Sequence, residues 1–399
     1  MAAVAEPASS SAAPLPFDSI VCFGGVDWWY HNRGHFDVQL MRHLGRRVPA
    51  LYVNSIAMRF PSPREGAMFV RRIARKLGSV RRQLQRIEPG FSVLSPLSVP
   101  GNAARAFSGP AVALQVRVAA RRLGFRRPLL WVTTPTAIDS LPHLRGHGLV
   151  YLRTDRYEAF PGVDADRIRR ADLELKRRAD LTIYCASALL ERERAECRNP
   201  VFVDHGVDFD AFARGGTADP EDLRGVRRPR IGFVGAIDRH TFDPELFGAV
   251  VERLPDLEFV LVGGSTVHDA PWLDAPNVHR LGQKPYTEVW QYPGACDVLV
   301  MPWNRSPWIE VCNPVKLKEY LAAGRPIVTT PFEELRRYEG CVTVARTADE
   351  FAAAIRAATA PEARARAEGL RDRVREETWT HQAERAMARI RDAVSRGSG

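Results

Sequence analysis

Short apolar runs, each followed by a polar or glycine-rich turn, recur along the chain from residue 19 onward. The first run, at 19–23, leads into a Gly-Gly turn, a helical pattern between His35 and Leu44, and a second run at 50–54. A strand-helix-strand unit of this kind normally builds parallel sheet. Further candidate strands follow at 129–134, 148–154, 181–187 and 200–206. The first half of the chain therefore predicts an α/β domain.

The same alternation starts again at Pro229, with "RIGFVGAI", a helical pattern at 244–254 and "EFVLVGG". Each half has its own glycine turn directly after its first strand. Together the halves predict two doubly wound, Rossmann-like domains that face one another across a cleft. The segment 206–228 carries Gly, Pro and charge without periodicity, so we predict the hinge there.

Composition narrows the class of protein. The 399 residues are 45% hydrophobic and 26% charged, which is typical of a globular protein, and no run of apolar residues is long enough to span a bilayer. The first 16 residues have neither the basic start nor the apolar centre of a signal peptide, so we predict a disordered tail at 1–16. The six cysteines show no C-x-x-C spacing, which favours free thiols over a zinc site.

The positive charge is concentrated in one segment. The chain has a net charge of +10, but residues 59–127 alone carry +13, so the remainder carries −3. Within this segment, 68–87 has apolar residues at helical spacing surrounded by arginines. This pattern predicts a basic amphipathic helix that contacts an anionic membrane surface, although an ordinary domain helix with a charged outer face has the same pattern. A nucleic-acid partner is not expected.

Several residues at predicted strand ends are candidates for ligand binding. Gly24 and Gly25 follow the first strand, where glycine would let bare amides approach an anion, but such a turn can also have no ligand. Gly235 and Arg239 occupy the corresponding place in the second half, where the arginine could face a diphosphate or be an ordinary loop residue. His31 follows the first turn and could hydrogen-bond a sugar or carry a proton, or have no role. The absence of G-x-G-x-x-G argues against a nicotinamide cofactor.

The second half carries a family resemblance. "GVDFDAF" at 206–212 resembles the interdomain N-G-V-D-x-x-x-F of the nucleotide-sugar-dependent glycosyltransferases with the GT-B fold, with His205 in place of the usual Asn. "NVHRLGQKPYTEVWQYPGACDVLVMPW" at 277–303 and "NPVKLKEYLAAGRPIV" at 313–328 resemble the same family, the family 4-like (group 1) bacterial enzymes. "VYLRTDRYEAFPG" in the first half is similar to the subgroup that includes cell-surface polysaccharide transferases.

The resemblance implies a division of the chain. Residues 17–208 would form an acceptor-side domain, 209–378 a domain that binds a nucleotide diphosphate sugar, and 379–399 a helix that packs back on the first domain. Glu319 would accept hydrogen bonds from the ribose hydroxyls. Asn313, Val315 and Lys316 would contact the diphosphate or the sugar.

The chain departs from the family pattern at one acid. The E-x7-E pattern counted back from Glu319 requires an acid at 311, where this chain has Val311. Either Glu310 still reaches the sugar, or Asn313 has taken over. We favour Asn313 because it suits the N-cap of the following helix and Pro314 suits the first helical position. Lys318 would point away from the ligand into solvent.

The function implied by the resemblance is transfer of a hexose-type sugar to a glycan, lipid-linked or natural-product acceptor. The reaction would retain the anomeric configuration and need neither metal nor cofactor, with Asp27, His31 and Asp155 as candidate catalytic groups on the acceptor side. The protein would be cytoplasmic and peripheral on the inner face of the membrane. A nucleotide-sugar 2-epimerase shares the fold and stays open as an alternative, as does a non-catalytic protein that binds sugar nucleotides or polyanions.

Overall fold

The computed structural model of the chain describes residues 15–30, 34–56, 74–75, 77–98, 105–160, 162–216 and 218–397. The described strands are β1 (Ser19–Phe23), β2 (Ala50–Val53), β3 (Leu84–Glu88), β4 (Phe91–Leu94), β5 (Pro128–Val132), β6 (Leu149–Arg153), β7 (Leu181–Tyr184), β8 (Pro200–Phe202), β9 (Arg230–Val234), β10 (Glu258–Val262), β11 (Val278–Gly282), β12 (Val298–Met301), β13 (Ile327–Thr329) and β14 (Thr343–Val344). The described α-helices are α1 (Phe36–Gly45), α2 (Arg105–Arg122), α3 (Ala165–Arg178), α4 (Ser187–Glu193), α5 (Phe209–Arg214), α6 (Pro244–Arg253), α7 (Gln291–Ala295), α8 (Pro307–Glu310), α9 (Val315–Ala323), α10 (Ala348–Ala358), α11 (Pro361–Gly369) and α12 (Trp379–Gly397).

The strands form two separate sheets, as the two-domain prediction requires. The first has the order β3-β4-β2-β1-β5-β6-β7-β8 and is parallel except for the β3–β4 pair. The second has the order β11-β10-β9-β12-β13-β14 and is parallel throughout. Most of these strands are continuous apolar runs because helices cover both faces of a parallel sheet. The prediction of two doubly wound domains is confirmed.

Each sheet has an apolar core on both faces. The first sheet's core includes side chains from the last helix, α12, among them Trp379, Met387 and Ile390, each at most 4% exposed. Helix α12 therefore packs on the N-terminal domain although it follows the C-terminal domain in sequence. The link between the domains is reinforced where Val207 pairs with Thr378 in an isolated parallel bridge. The predicted return of the C-terminal helix is confirmed.

The predicted amphipathic helix at 68–87 is wrong in its second part. Residues 77–80 are helical, but Gln83 has a φ of 47° and β3 follows, antiparallel to β4. The two strands are joined at Pro89 and Gly90, and Gly90 has a φ of 75°. Proline followed by glycine is a common turn signal, and here it closes a hairpin. The larger part of 68–76, with the first apolar positions of the stripe, lies outside the described residues.

A buried ion network joins the two domains beneath the cleft. Lys318 of α9 is 1% exposed, and its Nζ lies 2.9 Å from an Asp204 carboxylate oxygen and donates to the His205 carbonyl oxygen at 2.6 Å. Arg337 also pairs with Asp204 and lies 3.3 Å from the fully buried Glu334. The prediction that Lys318 is solvated is therefore wrong. The face of α9 that turns away from the cleft packs against the other domain instead of facing water.

A second charge cluster, buried except for the half-exposed Glu196, lies within the N-terminal domain. The carboxylates of Asp172, Glu193 and Glu196 lie within 4.8 Å of one another, close enough to hold a metal ion. The Lys176 ammonium occupies the centre of this group, with Nζ 2.7 Å from an oxygen of each carboxylate. Arg153, fully buried, adds contacts to Asp172 and Glu193 at 3.3 and 3.0 Å. The acids are thus neutralised by side chains of the chain itself, which makes the cluster a structural ion network.

Among the described helices, none combines the length and the apolar character needed to cross a bilayer.

Candidate functional site

A cleft of about 530 Å³ lies where the carboxyl ends of the two parallel sheets face each other. The N-terminal domain contributes the turns after β1, β5, β6 and β7, and the C-terminal domain contributes the turns after β9 and β10 together with the first turns of α9. The carboxyl ends of parallel strands are the usual place for ligands in doubly wound folds. The cleft therefore lies where the sequence predicted it.

Two glycine turns form the floor of the C-terminal wall. Gly235 follows β9 with a φ of 153°, and Gly263 follows β10 with a φ of 154°. A Cβ at Gly263 would lie 1.8 Å from the Gly235 carbonyl oxygen, and a Cβ at Gly235 would lie 2.3 Å from Lys316 Nζ. Only glycine therefore lets these two turns and the lysine pack together. Exposed backbone at this point leaves room for a ligand to approach closely.

Lys316 and Glu319 are the charged groups that α9 contributes to the cleft. The Lys316 ammonium lies 4.4 Å from the centre of the Phe233 ring, and burial lowers its pKa to about 8 against the opposing effect of Glu319. Burial raises the pKa of Glu319 to about 7, although Lys316 opposes the change. Within the described parts of the chain, neither side chain forms an ion pair or a hydrogen bond. An ammonium group that contacts only aromatic rings and a carboxylate without a hydrogen bond are thus available to a ligand.

The N-terminal wall carries polar groups that already have partners. The Asp37 carboxylate accepts hydrogen bonds from the Gly25 amide at 2.7 Å and the Tyr52 hydroxyl at 2.9 Å. These bonds fix the turn after β1. Asp155 follows β6, and burial raises its pKa while the Thr154 hydroxyl, Arg153 and His240 oppose the rise. Asp155 is the cleft carboxylate of this wall best suited to accept a proton, since Asp37 is already engaged.

Aromatic side chains bridge the cleft between the two domains. Phe160 of the N-terminal domain meets the His240 ring edge-on, with ring centres 5.8 Å apart, and His240 in turn lies 5.1 Å from the Trp308 ring. Phe160 and Trp308 both line the cleft, while the Trp308 indole N–H is buried and makes no hydrogen bond in the described structure. Flat aromatic side chains thus line this part of the cleft, together with the unpaired indole N–H of Trp308.

His205 occupies the position where the family pattern has Asn. Its ring packs edge-on against Phe36 and Trp379 and lines the cleft. Burial lowers its pKa to about 4, with Asp204 opposing and Lys318 adding to the decrease. His205 is therefore neutral at pH 7, and it serves as an uncharged polar group at the junction of the two domains.

The structure brings most of the predicted residues together. Gly25, Gly235, Asp155, Asn313, Val315, Lys316 and Glu319 all line the cleft. The role of Asn313 differs from the prediction, because its side-chain amide donates to the Cys185 carbonyl oxygen at 2.6 Å and to Asp204 at 2.8 Å. Its amide hydrogens thus hold the two domains together. The predicted cap is also wrong, since Pro314 is the N-cap and α9 begins at Val315.

Other predicted residues lie away from the cleft. Gly24 is required by packing, because a Cβ there would lie 2.0 Å from the Tyr52 ring. Arg239 is half exposed and pairs with Glu245 and Asp269, at 2.5 and 3.1 Å. Glu310 is 53% exposed and lies 3.2 Å from Arg192. Asp27 accepts a hydrogen bond from the Trp29 amide and is not part of the cleft lining. His31 lies outside the described residues.

The amide of Gly25 also differs from its predicted role. It was expected to point at an anion, but it donates to Asp37 at 2.7 Å. Asp37 carries no sequence signal for this role, because it stands inside a helical pattern, at the second position of α1, with no motif around it. Thr133 and Thr154 were also missed. Both could have been predicted from the sequence, because each directly follows a buried strand and ligands usually bind at the carboxyl ends of parallel strands.

The C-terminal domain is similar in sequence to a known protein family. Residues 228–360 match the family model described as glycosyl transferases group 1. A relative from Bacillus subtilis (strain 168), the putative teichuronic acid biosynthesis glycosyltransferase TuaH, is 32% identical over 173 residues, which is 41% of this chain. The match spans 43% of that relative's length.

Solved structures extend the likeness over nearly the whole fold. Sucrose-phosphate synthase from Thermosynechococcus elongatus superposes with a TM-score of 0.70 at 16% identity, covering 95% of this chain and 99% of that one. Anabaena HepE, solved in complex with UDP-glucose, superposes with a TM-score of 0.64 at 14% identity, covering 93% and 99%. At these identities the likeness establishes the fold. The chain therefore has the two-domain fold of these glycosyltransferases, GT-B, and its residues 228–360 are similar to the group 1 glycosyl transferases.

Proposed function

We propose that this protein is a glycosyltransferase that moves a sugar from a nucleotide diphosphate sugar to a glycan, lipid-linked or natural-product acceptor. The observation that carries the proposal is the Lys316–Glu319 pair, which lies in the cleft without partners among the described residues. A sugar nucleotide presents ribose hydroxyls, which donate to a carboxylate, and a diphosphate, which attracts an ammonium group. One turn of α9 thus offers a complementary group to each part of such a ligand.

The donor we favour is a UDP-sugar. The Anabaena HepE structures, solved with UDP and with UDP-glucose, share this fold, which supports a uridine donor. The diphosphate would lie at the amides of Val315 and Lys316, because the first N–H groups of a helix have no partners within it. The relative named for teichuronic acid biosynthesis supports an acceptor that belongs to a cell-surface polysaccharide.

The chemistry we propose is retaining and metal-independent, with the leaving diphosphate acting as base. Lys316 would stabilise the negative charge on the departing diphosphate, and the polar groups of the opposite wall would position the acceptor. Asp155 is the acceptor-side group that the geometry favours, because it lines the cleft and its raised pKa suits a carboxylate that hydrogen-bonds a hydroxyl. We propose no covalent intermediate on the protein. The enzyme would work in the cytoplasm.

The experiment compares two acids on neighbouring elements. Glu319→Ala should abolish UDP binding, measured as the rise in Tm with UDP, and should abolish transfer. Glu310→Ala is the matched control, because Glu310 is exposed and outside the cleft, so it should behave as wild type. Ligand at about 100 times its Kd stabilises by about 2.7 kcal/mol, which gives a readable shift in the wild type.

The products decide between the enzyme classes. Release of UDP with loss of the donor sugar supports the transferase. Interconversion of the sugar on the nucleotide without UDP release would instead make the protein a 2-epimerase. A normal Tm rise in Glu319→Ala would refute the donor site, and UDP binding without any turnover across a panel of acceptors would favour a non-catalytic binding protein.

A further inference from the structure

The exposed apolar side chains of this protein are concentrated in one region. Six large apolar residues of the described chain are exposed, and only Val344 lies outside the N-terminal domain. The other five are Leu77, Leu97, Phe107, Leu114 and Val118, with exposed fractions of 58%, 60%, 78%, 52% and 40%. Scattered single apolar residues are normal on a protein surface, but a group of this size confined to one side indicates a contact surface.

Helix α2 carries three of these residues on one face. Phe107, Leu114 and Val118 are separated by seven and four positions, which brings them to the same side of the helix. The opposite side of α2 contributes Val112, Val116 and Ala119 to the domain core. A helix that is apolar on both sides is normally buried all round, yet the outer side of α2 faces solvent.

Hydrogen bonds bring the other two residues close to α2. The Gln115 side chain accepts from the Leu97 amide at 2.8 Å and donates to the Leu97 carbonyl at 2.9 Å, which fixes the loop after β4 along the helix. Ser95 in that loop bonds the Ser79 hydroxyl at 3.2 Å, two residues from Leu77. We call this set the apolar surface: Leu77, Leu97, Phe107, Leu114 and Val118.

Unpaired arginines surround the apolar surface. Arg117 and Arg121 lie on the same outer side of α2, the Arg81 amide donates to the Leu77 carbonyl oxygen at 3.0 Å, and Arg86 lies on the neighbouring strand β3. All four are exposed, and none forms an ion pair in the described structure. The combination of exposed apolar groups with arginines free of carboxylate partners is complementary to an anionic lipid bilayer, which offers an apolar interior beneath a negative headgroup layer.

We infer that the apolar surface docks on an anionic membrane. This inference rests on the proposed function, because it explains how a lipid-linked acceptor would reach the cleft. The loops after β2 and β4 lie at the same edge of the sheet as the cleft. The turn after β1 connects the two regions, since Val26 lines the cleft and Trp29 donates to Ser95 at 2.9 Å. A membrane under α2 therefore lies beside the acceptor side of the cleft.

The test is flotation of the full chain with phosphatidylcholine vesicles, with and without phosphatidylglycerol. The wild type should float only with the anionic vesicles. Arg117→Gln/Arg121→Gln should bind them roughly thirtyfold more weakly, because each arginine near an anionic surface contributes about a factor of five. Phe107→Ser/Leu114→Ser should bind at least about tenfold more weakly. Val344→Ser, which removes the exposed apolar residue outside this surface, should bind as wild type.

Two further measurements keep the inference falsifiable. The Tm rise with UDP checks that each variant is folded and that the donor site is intact, so loss of flotation with a normal rise is a membrane effect. The inference is overturned if Phe107→Ser/Leu114→Ser floats like the wild type, or if the wild type does not float. It is also overturned if the wild type is a dimer in solution that this double variant makes monomeric, since a second copy would then cover the surface. Failure of the donor site alone would leave flotation unchanged.

Discussion

Lys318 provides the sharpest test of how the two domains are held together. Replacing it by Met keeps an apolar chain as long as the lysine's carbon chain and removes the ammonium group. In the wild type this group lies 2.9 Å from Asp204, 2.6 Å from the His205 carbonyl oxygen and 3.3 Å from Glu377. Lys318→Met therefore leaves the Asp204 carboxylate, 3% exposed, with one of its two cationic partners removed.

The size of the effect follows from this geometry. Removing one partner of a buried ion pair costs about 3–5 kcal/mol. Arg337 still pairs with Asp204, so we expect the lower end, about 3 kcal/mol. An unfolding entropy of about 2.1 cal/mol/K per residue gives roughly 0.8 kcal/mol/K for 399 residues, so Tm should fall by roughly 4 °C.

The assay is thermal unfolding of Lys318→Met beside Lys284→Met. Lys284 makes a shorter ion pair with Asp222, at 2.5 Å, but the two side chains are 21% and 32% exposed, so its removal should cost at most about 1 kcal/mol. Equal Tm values for the two variants would refute the argument that the buried network stabilises the domain junction.

The pH dependence gives an independent check. Burial by itself would raise the pKa of Asp204, but Lys318 and Arg337 outweigh it and hold the pKa at about 2. A lowered carboxyl pKa contributes stability that is present above the ordinary value of 3.8 and is lost as the pH falls through 2. The difference in Tm between wild type and Lys318→Met should therefore shrink between about pH 4 and pH 2.

Three further changes have defined outcomes. UDP affinity, measured by calorimetry, should fall by up to about tenfold per pH unit above pH 8, where Lys316 loses its proton. Lys316→Met should bind UDP weakly at every pH, without this decrease. Gly235→Ala should weaken UDP binding about tenfold, because the new Cβ displaces Lys316, whereas Gly225→Ala, with open space around it, should not. Lys176→Met should lower the free energy of unfolding, measured by urea titration, by about 3–5 kcal/mol. Arg178→Met, which breaks an exposed ion pair with Glu174, should lower it by less than about 1 kcal/mol. An effect at Lys176 as small as this would contradict a structural role for the cluster.

The alternation of apolar runs predicted both sheets except for the edge of the first one, where β3 and β4 were not anticipated. Burial on both faces makes each parallel strand a nearly continuous apolar segment, and this signal does not depend on distant residues. The local pattern was less reliable at 84–88. Leu84 and Ile87 fit a helical spacing with the residues before them. The strand β3 forms because it pairs with β4, and this pairing cannot be predicted from the spacing within residues 84–88.

Helix α9 shows which part of a site can be predicted from sequence. Lys316 and Glu319 were identified from the resemblance, and both line the cleft. Lys318 was misinterpreted because a charged residue on the other side of a helix was assumed to face water. The group that covers that side is Asp204, more than a hundred residues earlier in the chain. Asn313 was misinterpreted for the same reason, since its partner Cys185 belongs to the other domain.

Helix α9 has a consequence for motion between the domains. Its cleft side carries Lys316 and Glu319, and its opposite side is bound to the N-terminal domain through Lys318. We therefore expect the region around Asp204 to be the pivot when the cleft opens or closes, so that the distant glycine turns travel furthest. A ligand held by Glu319 applies its force one residue away from that pivot. We expect occupancy of the cleft to change the angle between the domains through this single turn of helix.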